Sequence, residues 1–574
     1  MSKDTSLIDS FPFFSYLNSN YIPFDDEVVQ IKTFLIQPRK QLEEMKAVMD
    51  RLQAELSSVK SKYDNLYHQF NSCASLITVP RRVPDDVLEE IFYQSLPTDR
   101  NALLDNYAAP LIFTRICRQW RQVAFASPRL WSTIHIRVLP NLPRPHDWWN
   151  GPSINILPDE SPPRKQEELQ AAAASEWLKR SGDLPLHISF IAYHDPSCPS
   201  SVDPYLSFLV PFSSRWKSLV LEGEWTPFSR IFTLGTAYLR TLESLILDFD
   251  ALGYRNTGLQ SQELVRSLSN CGLLTSPSLR KLSIRRLIMM FPTILCIPWG
   301  QLTHLEINAP SGGWDDAVAL SMSTASEILQ VSTSLVSCRI KIVGWANFVD
   351  IHSMQLPLLR RLAIEIGGNI LPFTDRLEAL GLQELNLHII EHDNDVDYKA
   401  CLAPLFRPQQ GRIQKLVTDA RYLDHESSLE ILQKCPGLIS LTVKDSHLRE
   451  SLPQETPLIT IDDEFLEKIS SNDGEVLCPQ LQEFICDYPA AFSTTGMIEF
   501  IKRKQGGNIP GLAKLKKVAL PYIPLEEKCL LSDDLRPYIS QGLVLHLDAP
   551  GNSNSFDNEV YGNSAARYAN FWEL

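Results

Sequence analysis

Residues 279–284 read LRKLSI, and residues 302–307 read LTHLEI. Each stretch has apolar residues at its first, fourth and sixth positions, with polar or variable residues between them. The fourth and sixth residues are two apart, so their side chains would lie on the same side of an extended strand. The pattern therefore predicts a short strand with one buried face and one variable face.

The same pattern recurs along the C-terminal part of the chain, with starts 23 to 43 residues apart. Clear copies are LESLIL (242–247), LRKLSI, LTHLEI, LLRRLAI (358–364), LQELNL (382–387), LISLTV (438–443) and LKKVAL (515–520). Degenerate copies are WKSLVL (216–221), LVSCRI (335–340), IQKLVT (413–418) and LQEFIC (481–486). One short strand per unit of roughly 20–30 residues is typical of leucine-rich repeats. The longer gaps indicate insertions or missed copies.

Segments between the copies, such as LVRSLSNC, ASEILQ and SLEILQKCPG, have the pattern of helices on the outer side of each unit. Stacked units would share a core and expose a sheet of variable residues suited to binding a protein. The variable positions Glu243, Arg280, Glu306 and Glu384 mark the region where a partner protein would bind. The alternative is that a leucine-rich α/β protein contains such copies by chance, but eleven copies favour a repeat.

A long helix is predicted near the N-terminus, with Pro38 in its first turn. Nine apolar residues follow 3-4 spacing, the heptad pattern of a coiled coil: Leu42, Met45, Met49, Leu52, Leu56, Val59, Tyr63, Leu66 and Phe70. At the flanking positions, Glu55 and Lys60 are one complementary pair, whereas Val48, Gln53 and Tyr67 give none. Two interpretations stay open, a dimeric coiled coil and packing of the stripe onto the protein's own body. We expect the second, because the flanking charges specify a partner helix weakly.

Two short helices are predicted between residues 79 and 131. The first begins after Pro84 with acidic residues, which favour a helix N-terminus, and the second ends near Ser127-Pro128. Apolar residues line one face of each helix: Val87, Leu88, Ile91 and Phe92 on the first, and Leu111, Ile116, Trp120 and Val123 on the second. Trp120 is expected on the inward stripe, with Arg118 and Arg121 beside it in solvent. This placement argues against a base-stacking surface, which needs exposed aromatic residues.

The segments PDDVLEEIF, ICRQW and ASPRLW resemble the F-box, a small helical module of roughly 50 residues. The resemblance covers residues 18 to 136 and is greatest to the F-box-like proteins of mushroom-forming fungi. Two departures are Val83-Pro84 in place of the usual Leu-Pro and a longer stretch at 98–110. The resemblance implies binding to the Skp-type adaptor of a cullin–RING ubiquitin ligase. The adaptor-binding residues that it implies are Val83, Pro84, Val87, Ile91, Ile116 and Trp120, with Trp131 closing the module; each could instead belong to the module's own core.

We therefore expect an α+β protein in which an N-terminal helix and a small helical F-box module precede an irregular α/β leucine-rich-repeat solenoid. The expected segments are a flexible N-terminus (1–37), the heptad-patterned helix (38–78), the F-box (79–137), a proline-rich linker (138–164), the repeat region (165–547) and a mobile tail (548–574). The expected function is that of a non-catalytic substrate-recognition subunit of a ubiquitin ligase. The alternative is a leucine-rich-repeat scaffold that has no part in ubiquitin ligation.

Composition limits the other classes of function. The net charge of −14 argues against nucleic acid as a partner, and the basic cluster Lys502-Arg503-Lys504 is expected to be solvated. The N-terminus lacks the pattern of a secretory signal, and no apolar stretch reaches the roughly 18 residues of a membrane helix. The 11 cysteines include no C-x-x-C pair, which is typical of reduced thiols. We expect a cytoplasmic or nuclear protein without a cofactor.

One sequence pattern of a catalytic site occurs in the chain. His388, Glu391 and His392 match the H-x-x-E-H pattern of inverted zinc proteases. That site needs both histidines on adjacent turns of a helix, whereas here the motif continues the predicted strand LQELNL. Residues four apart on a strand are separated by about 13 Å, too far to share one zinc at about 2.1 Å each. A zinc hydrolase is therefore the least favoured of three hypotheses.

Overall fold

The computed structural model describes residues 11–17, 19–74, 82–138, 163–192, 202–249, 266–269, 271–285, 295–308, 320–344, 351–389, 396–407, 413–419, 425–444, 461–470, 477–487, 491–506, 511–520 and 525–547. The chain divides into two compact units, Met1–Leu88 and Glu89–Leu574. The α-helices are α1 (Asp25–Ala74), α2 (Asp85–Gln94), α3 (Phe113–Ile116), α4 (Arg118–Ala126), α5 (Pro163–Arg180), α6 (Asp203–Leu209), α7 (Ser229–Phe232), α8 (Met322–Val331), α9 (Leu371–Asp375), α10 (Tyr398–Leu402), α11 (His425–Gln433), α12 (Asp463–Lys468), α13 (Thr494–Gln505) and α14 (Leu525–Ile539).

The strands form a parallel sheet. They are β1 (Thr133–Val138), β2 (Leu186–Ala192), β3 (Trp216–Gly223), β4 (Ser244–Phe249), β5 (Lys281–Arg285), β6 (His304–Asn308), β7 (Leu320–Ser321), β8 (Ser337–Gly344), β9 (Met354–Gln355), β10 (Arg361–Gly368), β11 (Leu377–Glu378), β12 (Glu384–Ile389), β13 (Lys415–Asp419), β14 (Ser440–Lys444), β15 (Glu483–Asp487), β16 (Lys517–Ala519) and β17 (Val544–His546). Along the main sheet the strands follow chain order from β1 to β17, with β7 on β8 and a separate β9–β11 pair. The fold is mixed helix and strand, as expected.

All eleven predicted copies coincide with strands of the main sheet, and they share one register. The residue at the fourth position of each copy pairs with its counterpart on the next strand, as Leu362 does with Leu385 and Leu385 with Leu416. This row, with its equivalents in β1 and β2, is a buried ladder: Ile134, Ile188, Leu219, Leu245, Leu282, Leu305, Cys338, Leu362, Leu385, Leu416, Leu441, Phe484 and Val518. The apolar period therefore sets the face of the sheet that forms the core.

The predicted boundary between the F-box (79–137) and the repeat region (165–547) was wrong in one respect. Strand β1 lies before the proline-rich stretch, yet it pairs with β2 as the first strand of the sheet. The longer stretch at 98–110 packs on the outer edge of β1, where the His135 amide donates to the Ala102 carbonyl oxygen at 2.8 Å and Leu103 bridges His135. This contact covers an edge strand that would otherwise expose unpaired backbone groups. Residues 139–162 of the predicted linker and the tail 548–574 lie outside the described residues.

Helix α1 begins at Asp25, thirteen residues before the predicted start at Pro38, which lies inside the helix. The local sequence explains the earlier start. Asp25, Asp26 and Glu27 supply negative charge to the first turn, and the Glu27 carboxylate accepts a hydrogen bond from the Phe24 amide at 2.8 Å. Part of the predicted flexible segment 1–37 is therefore helical. Among the described residues, no helix is long and apolar enough to cross a membrane.

Candidate functional site

Helix α2 carries a second apolar stripe besides the one it buries. Leu88 and Phe92 are buried, whereas Val87 and Ile91 are 45% and 46% exposed. Val87 and Ile91 are four residues apart, so they lie on one face of the helix, a turn apart. Two large apolar side chains on one face that the fold does not bury are suited to contact a partner.

The first residues of the predicted adaptor-binding set precede α2. Pro84 is exposed, and Val83 is half-buried. The Pro84 carbonyl oxygen accepts the Leu88 amide at 3.0 Å, so the helical hydrogen bonds begin at this proline. Pro84 therefore fixes the start of the helix and remains accessible beside it.

Trp120 is half-buried and belongs to the core of the module. Its ring lies 4.9 Å from the Phe92 ring and 6.4 Å from the Phe113 ring, and the two phenylalanines stack at 4.3 Å. These contacts place Trp120 on the inward stripe of α4, as predicted. Any contact of Trp120 with a partner would be limited to the edge of the indole that stays exposed.

Ile116 is the last residue of α3 and is 53% exposed. The next residue, Cys117, breaks the helix in an extended conformation, and its sulfur accepts the Trp120 amide at 3.5 Å as the cap of α4. The break lets Ile116 face solvent while Trp120 turns inward. The two residues therefore have different roles, although the spacing in the sequence put both on one stripe.

Trp131 is 0% exposed, so the prediction that it belongs to the adaptor-binding set was wrong. Its indole N–H donates to the Ala124 carbonyl oxygen at 2.8 Å, and its ring packs edge-on against Trp177 of α5 at 4.9 Å. It closes the module by joining it to α5. A residue in this position stabilises the fold and is not available to a partner.

The arginines around these tryptophans face solvent, as expected. Arg118 and Arg121 are exposed, and the Arg121 side chain donates to the Thr114 carbonyl oxygen at 2.6 Å. Arg129 lies over the Tyr93 ring at 3.8 Å and pairs with Glu90 at 3.3 Å. The local partners of Arg121 and Arg129 indicate that these two arginines stabilise the module.

A second candidate surface is the side of the sheet opposite the ladder. It carries the residues at the third, fifth and seventh positions of each copy, and we call it the open face. Between β6 and β17 the open face lines a depression of about 710 Å³. Its wall mixes apolar residues with charged side chains of both signs. In the row of third positions, Glu384 lies between Arg361 and Lys415, and Glu483 lies next to Lys517.

At one end of the depression, Glu306 is 2% exposed and holds two arginines. Arg285 donates to its carboxylate at 3.0 Å, Arg339 lies at 3.8 Å, and Ser283 also donates to it. Burial raises the pKa of Glu306, and the charge of Arg285 opposes that rise. This cluster fixes the Arg339 guanidinium at the wall of the depression, where it can meet an acidic group of a ligand.

Of the four residues expected to mark the substrate region, Glu384 alone is both half-exposed and part of the depression. Glu243 and Arg280 are exposed, but they occupy second positions, before the strands begin. Glu306 is buried, so that its contact with a substrate would be indirect. Arg339, Arg361, Lys415 and Lys444 were missed, and comparing third, fifth and seventh positions across the copies would have identified them.

The zinc motif is only partly described. His388 lies on β12, which confirms the predicted strand, while Glu391 and His392 lie outside the described residues. Within the part of the chain that the structure covers, no three His, Cys, Asp or Glu side chains are grouped to hold a metal ion.

The basic cluster at 502–504 is not a uniform solvated face. Lys504 is buried and donates to the Cys478 carbonyl oxygen at 3.3 Å, and burial lowers its pKa to about 8. Arg503 pairs with Glu467 and Glu499, each at 3.5 Å. The expectation of a solvated cluster was therefore wrong for Lys504, and the cluster is still no candidate for a nucleic-acid site.

Comparisons with known proteins do not identify a family for this chain. No protein-family model and no curated protein matches the chain. A chain in the crystal structure of the Rad7 and Elc1 complex in yeast is similar at a TM-score of 0.26 and 14% identity, over 52% of this chain and 88% of that chain. A likeness at that TM-score carries no inference about fold or partners. Membership of the F-box family stays a prediction from the sequence.

Proposed function

We propose that the protein is the substrate-recognition subunit of a Skp–cullin–F-box type ubiquitin ligase. The F-box-like module would bind the Skp-type adaptor, and the sheet would bind a protein substrate. The observation that carries the proposal is the exposed apolar stripe of α2, Val87 and Ile91, in a segment that resembles the F-box. We expect the protein to act in the cytoplasm or nucleus.

The exposed and buried sides of the module support different roles. Phe92, Phe113 and Trp120 pack together and account for its stability. Val87, Ile91 and Ile116 add nothing comparable, because about half of each side chain is exposed. Removing apolar side chains of this size from water is favourable, so burying them against a partner would contribute to the free energy of binding. Pro84, Val87, Ile91 and Ile116 are therefore the proposed adaptor contacts.

The sheet supports a leucine-rich-repeat interpretation of the remaining chain. The strands of the eleven copies lie side by side in chain order, in parallel and in register, and the fourth-position residues form one continuous ladder. In a stack of repeats each unit buries its apolar face against its neighbours, which leaves the open face for binding. The alternating charges of the depression are suited to a polar protein surface that carries charges of both signs.

Such a subunit contributes proximity and no bond-making chemistry of its own. Holding a substrate close to a ubiquitin-charged enzyme raises the effective concentration of its lysines. The proposal needs no catalytic side chain in this protein, only two surfaces that can be occupied at the same time.

The alternative is a scaffold that no longer binds the adaptor. The observation that favours it is the stretch at 98–110, which holds the edge of β1 through Ala102 and Leu103. This stretch pairs with the edge strand of the sheet, so its extra length is explained without a contact to an adaptor. Val83 in place of leucine points the same way.

Co-purification with the Skp-type adaptor tests the proposal. The test variant is Val87→Asp with Ile91→Asp, and the control is Gln122→Asp, which places one such charge on the exposed side of α4. The wild type and the control should retain the adaptor, and the double variant should lose it with an unchanged melting temperature. If the intact protein retains no adaptor, the scaffold alternative takes its place.

A further inference from the structure

The heptad stripe of α1 is open to solvent along its whole length. The nine apolar residues from Leu42 to Phe70 are each 57–68% exposed, and α1 buries none of its residues. Within the compact unit Met1–Leu88, the described residues therefore leave the stripe uncovered, and packing onto the rest of the chain stays a prediction. A stripe of nine large apolar side chains far exceeds the scattered apolar residues of an ordinary surface.

The period of the stripe specifies the kind of surface that can cover it. Strict 3-4 spacing is the narrow seam of a coiled coil, whereas helices that pack onto a globular core have a wider apolar face. From Leu42 to Phe70 the seam is about 42 Å long. Only another helix of similar length can fill it with regular knobs-into-holes packing.

The described part of the chain offers no such helix. The next longest is α5, with 18 residues, and its apolar face is already buried through Ala174, Trp177 and Leu178. A helix of matching length and period is present in a second copy of this chain. With about 100 Å² lost at each of nine positions, two copies would bury about 1,800 Å², the size of a stable interface.

The residues of the seam also favour one orientation. In a parallel pair, Tyr63 and Phe70 would each meet their own counterpart, so two wide layers would lie at one end. In an antiparallel pair centred between residues 57 and 58, every layer joins two different residues. The layers are then Met45 with Phe70, Met49 with Leu66, Leu52 with Tyr63 and Leu56 with Val59.

The charges beside the seam agree with the antiparallel arrangement. Glu55 of one copy would lie opposite Lys62 of the other, and symmetry gives this pair twice. The arrangement places no like charges opposite each other at the flanking positions. Exposed ion pairs within the helix, Arg39 with Glu43 and Lys40 with Glu44, lie outside the seam and stabilise each helix.

We propose that α1 pairs with α1 of a second copy of this chain in an antiparallel two-stranded coiled coil. The proposal does not depend on the proposed function, because α1 pairs in it without an adaptor or a substrate.

Sedimentation equilibrium of the full-length protein tests the pairing. The wild type should have twice the chain mass of 65.1 kDa. Leu56→Asp, at the centre of the seam, should weaken association at least 100-fold. Ser58→Asp puts the same charge two residues away, outside the seam, and should leave the mass doubled. A wild type at the single-chain mass, or a Leu56→Asp variant that stays paired, would overturn the proposal.

Cys73 tests the orientation, because it is exposed and continues the seam. In the antiparallel pair it lies opposite Leu42 of the other copy. Under mild oxidation, Leu42→Cys should therefore give a disulfide that joins the introduced cysteine of one chain to Cys73 of the other. Within one chain these positions are about 46 Å apart, which excludes an internal link. Peptide mapping identifies the linked residues, and a Cys73–Cys73 link in the wild type would contradict the antiparallel orientation.

Discussion

Helix α1 and the parallel sheet both carry regularly spaced apolar residues, but those of the sheet are buried and those of α1 are exposed. In the sheet, the fourth-position ladder is buried in strand after strand, whereas the α1 stripe is exposed from Leu42 to Phe70. The difference follows from repetition. A repeated unit brings its own neighbour, so each residue of the ladder packs beside its counterpart on the next strand. Helix α1 has no counterpart of its length among the described residues, and we propose that the same helix of a second copy covers its stripe.

The largest expected effect comes from placing the same charge in the two apolar rows. Leu385→Asp puts a carboxylate into the buried ladder and should destabilise the protein by about 5 kcal/mol or more, or prevent folding. Leu56→Asp puts it on the exposed stripe and should leave the sheet unchanged. Urea denaturation followed by tryptophan fluorescence measures both variants. Similar losses of stability would break the comparison.

A second effect distinguishes the regions by pH. His135 of β1 is buried beside Ser189 at 2.8 Å, and burial together with Arg137 and Arg100 lowers its pKa to about 4 from an ordinary 6.5. The folded protein therefore favours the neutral ring. The neutral ring contributes about 3 kcal/mol to the free energy of unfolding, and this contribution is complete above pH 6.5. It is lost as the pH falls toward 4, because the unfolded state binds the proton first.

His135→Gln should remove that part of the pH dependence. His68→Gln, which changes an exposed histidine of α1, should leave it intact. Urea midpoints between pH 7 and pH 4 measure the difference. If both variants follow the wild type, His135 is not the group responsible.

A smaller effect concerns ion pairs. Glu306→Ala removes the buried partner of Arg285 and Arg339 and should cost about 2 kcal/mol, less than a fully buried pair because Arg339 is partly exposed. Glu55→Ala removes the exposed partner of Arg51 on α1 and should change the stability of folding too little to measure. Thermal unfolding of the two variants checks the contrast. A larger loss from Glu55→Ala would contradict it.

Much of the sheet could be predicted, because one period of apolar residues determines both the strand and its buried face. Eleven copies gave eleven strands, including degenerate ones such as LVSCRI. The strand β17 was missed because it is short and because Gly542 stands where the other copies have an apolar first residue. The start of α1 was missed because Pro38 suggested a first turn. The acidic residues Asp25 and Asp26 are the ones that indicate the helix N-terminus.

The candidate site was harder to predict. Spacing put Ile116 and Trp120 on one stripe, but the break at Cys117 turns one outward and the other inward. Trp131 looked like part of a surface until α5, more than 30 residues later in the chain, supplied Trp177 to cover it. Local periodicity cannot give such contacts, because they depend on segments distant in sequence.

The central claim is that the exposed stripe of α2 binds a Skp-type adaptor, and a calorimetric titration of the purified protein with purified adaptor tests it most directly. We predict saturable one-to-one binding by the wild type and by Gln122→Asp. Binding by the Val87→Asp, Ile91→Asp variant should be at least about 100-fold weaker, as expected when two central apolar contacts are lost. No binding by the wild type, or equal binding by the double variant, would contradict the claim.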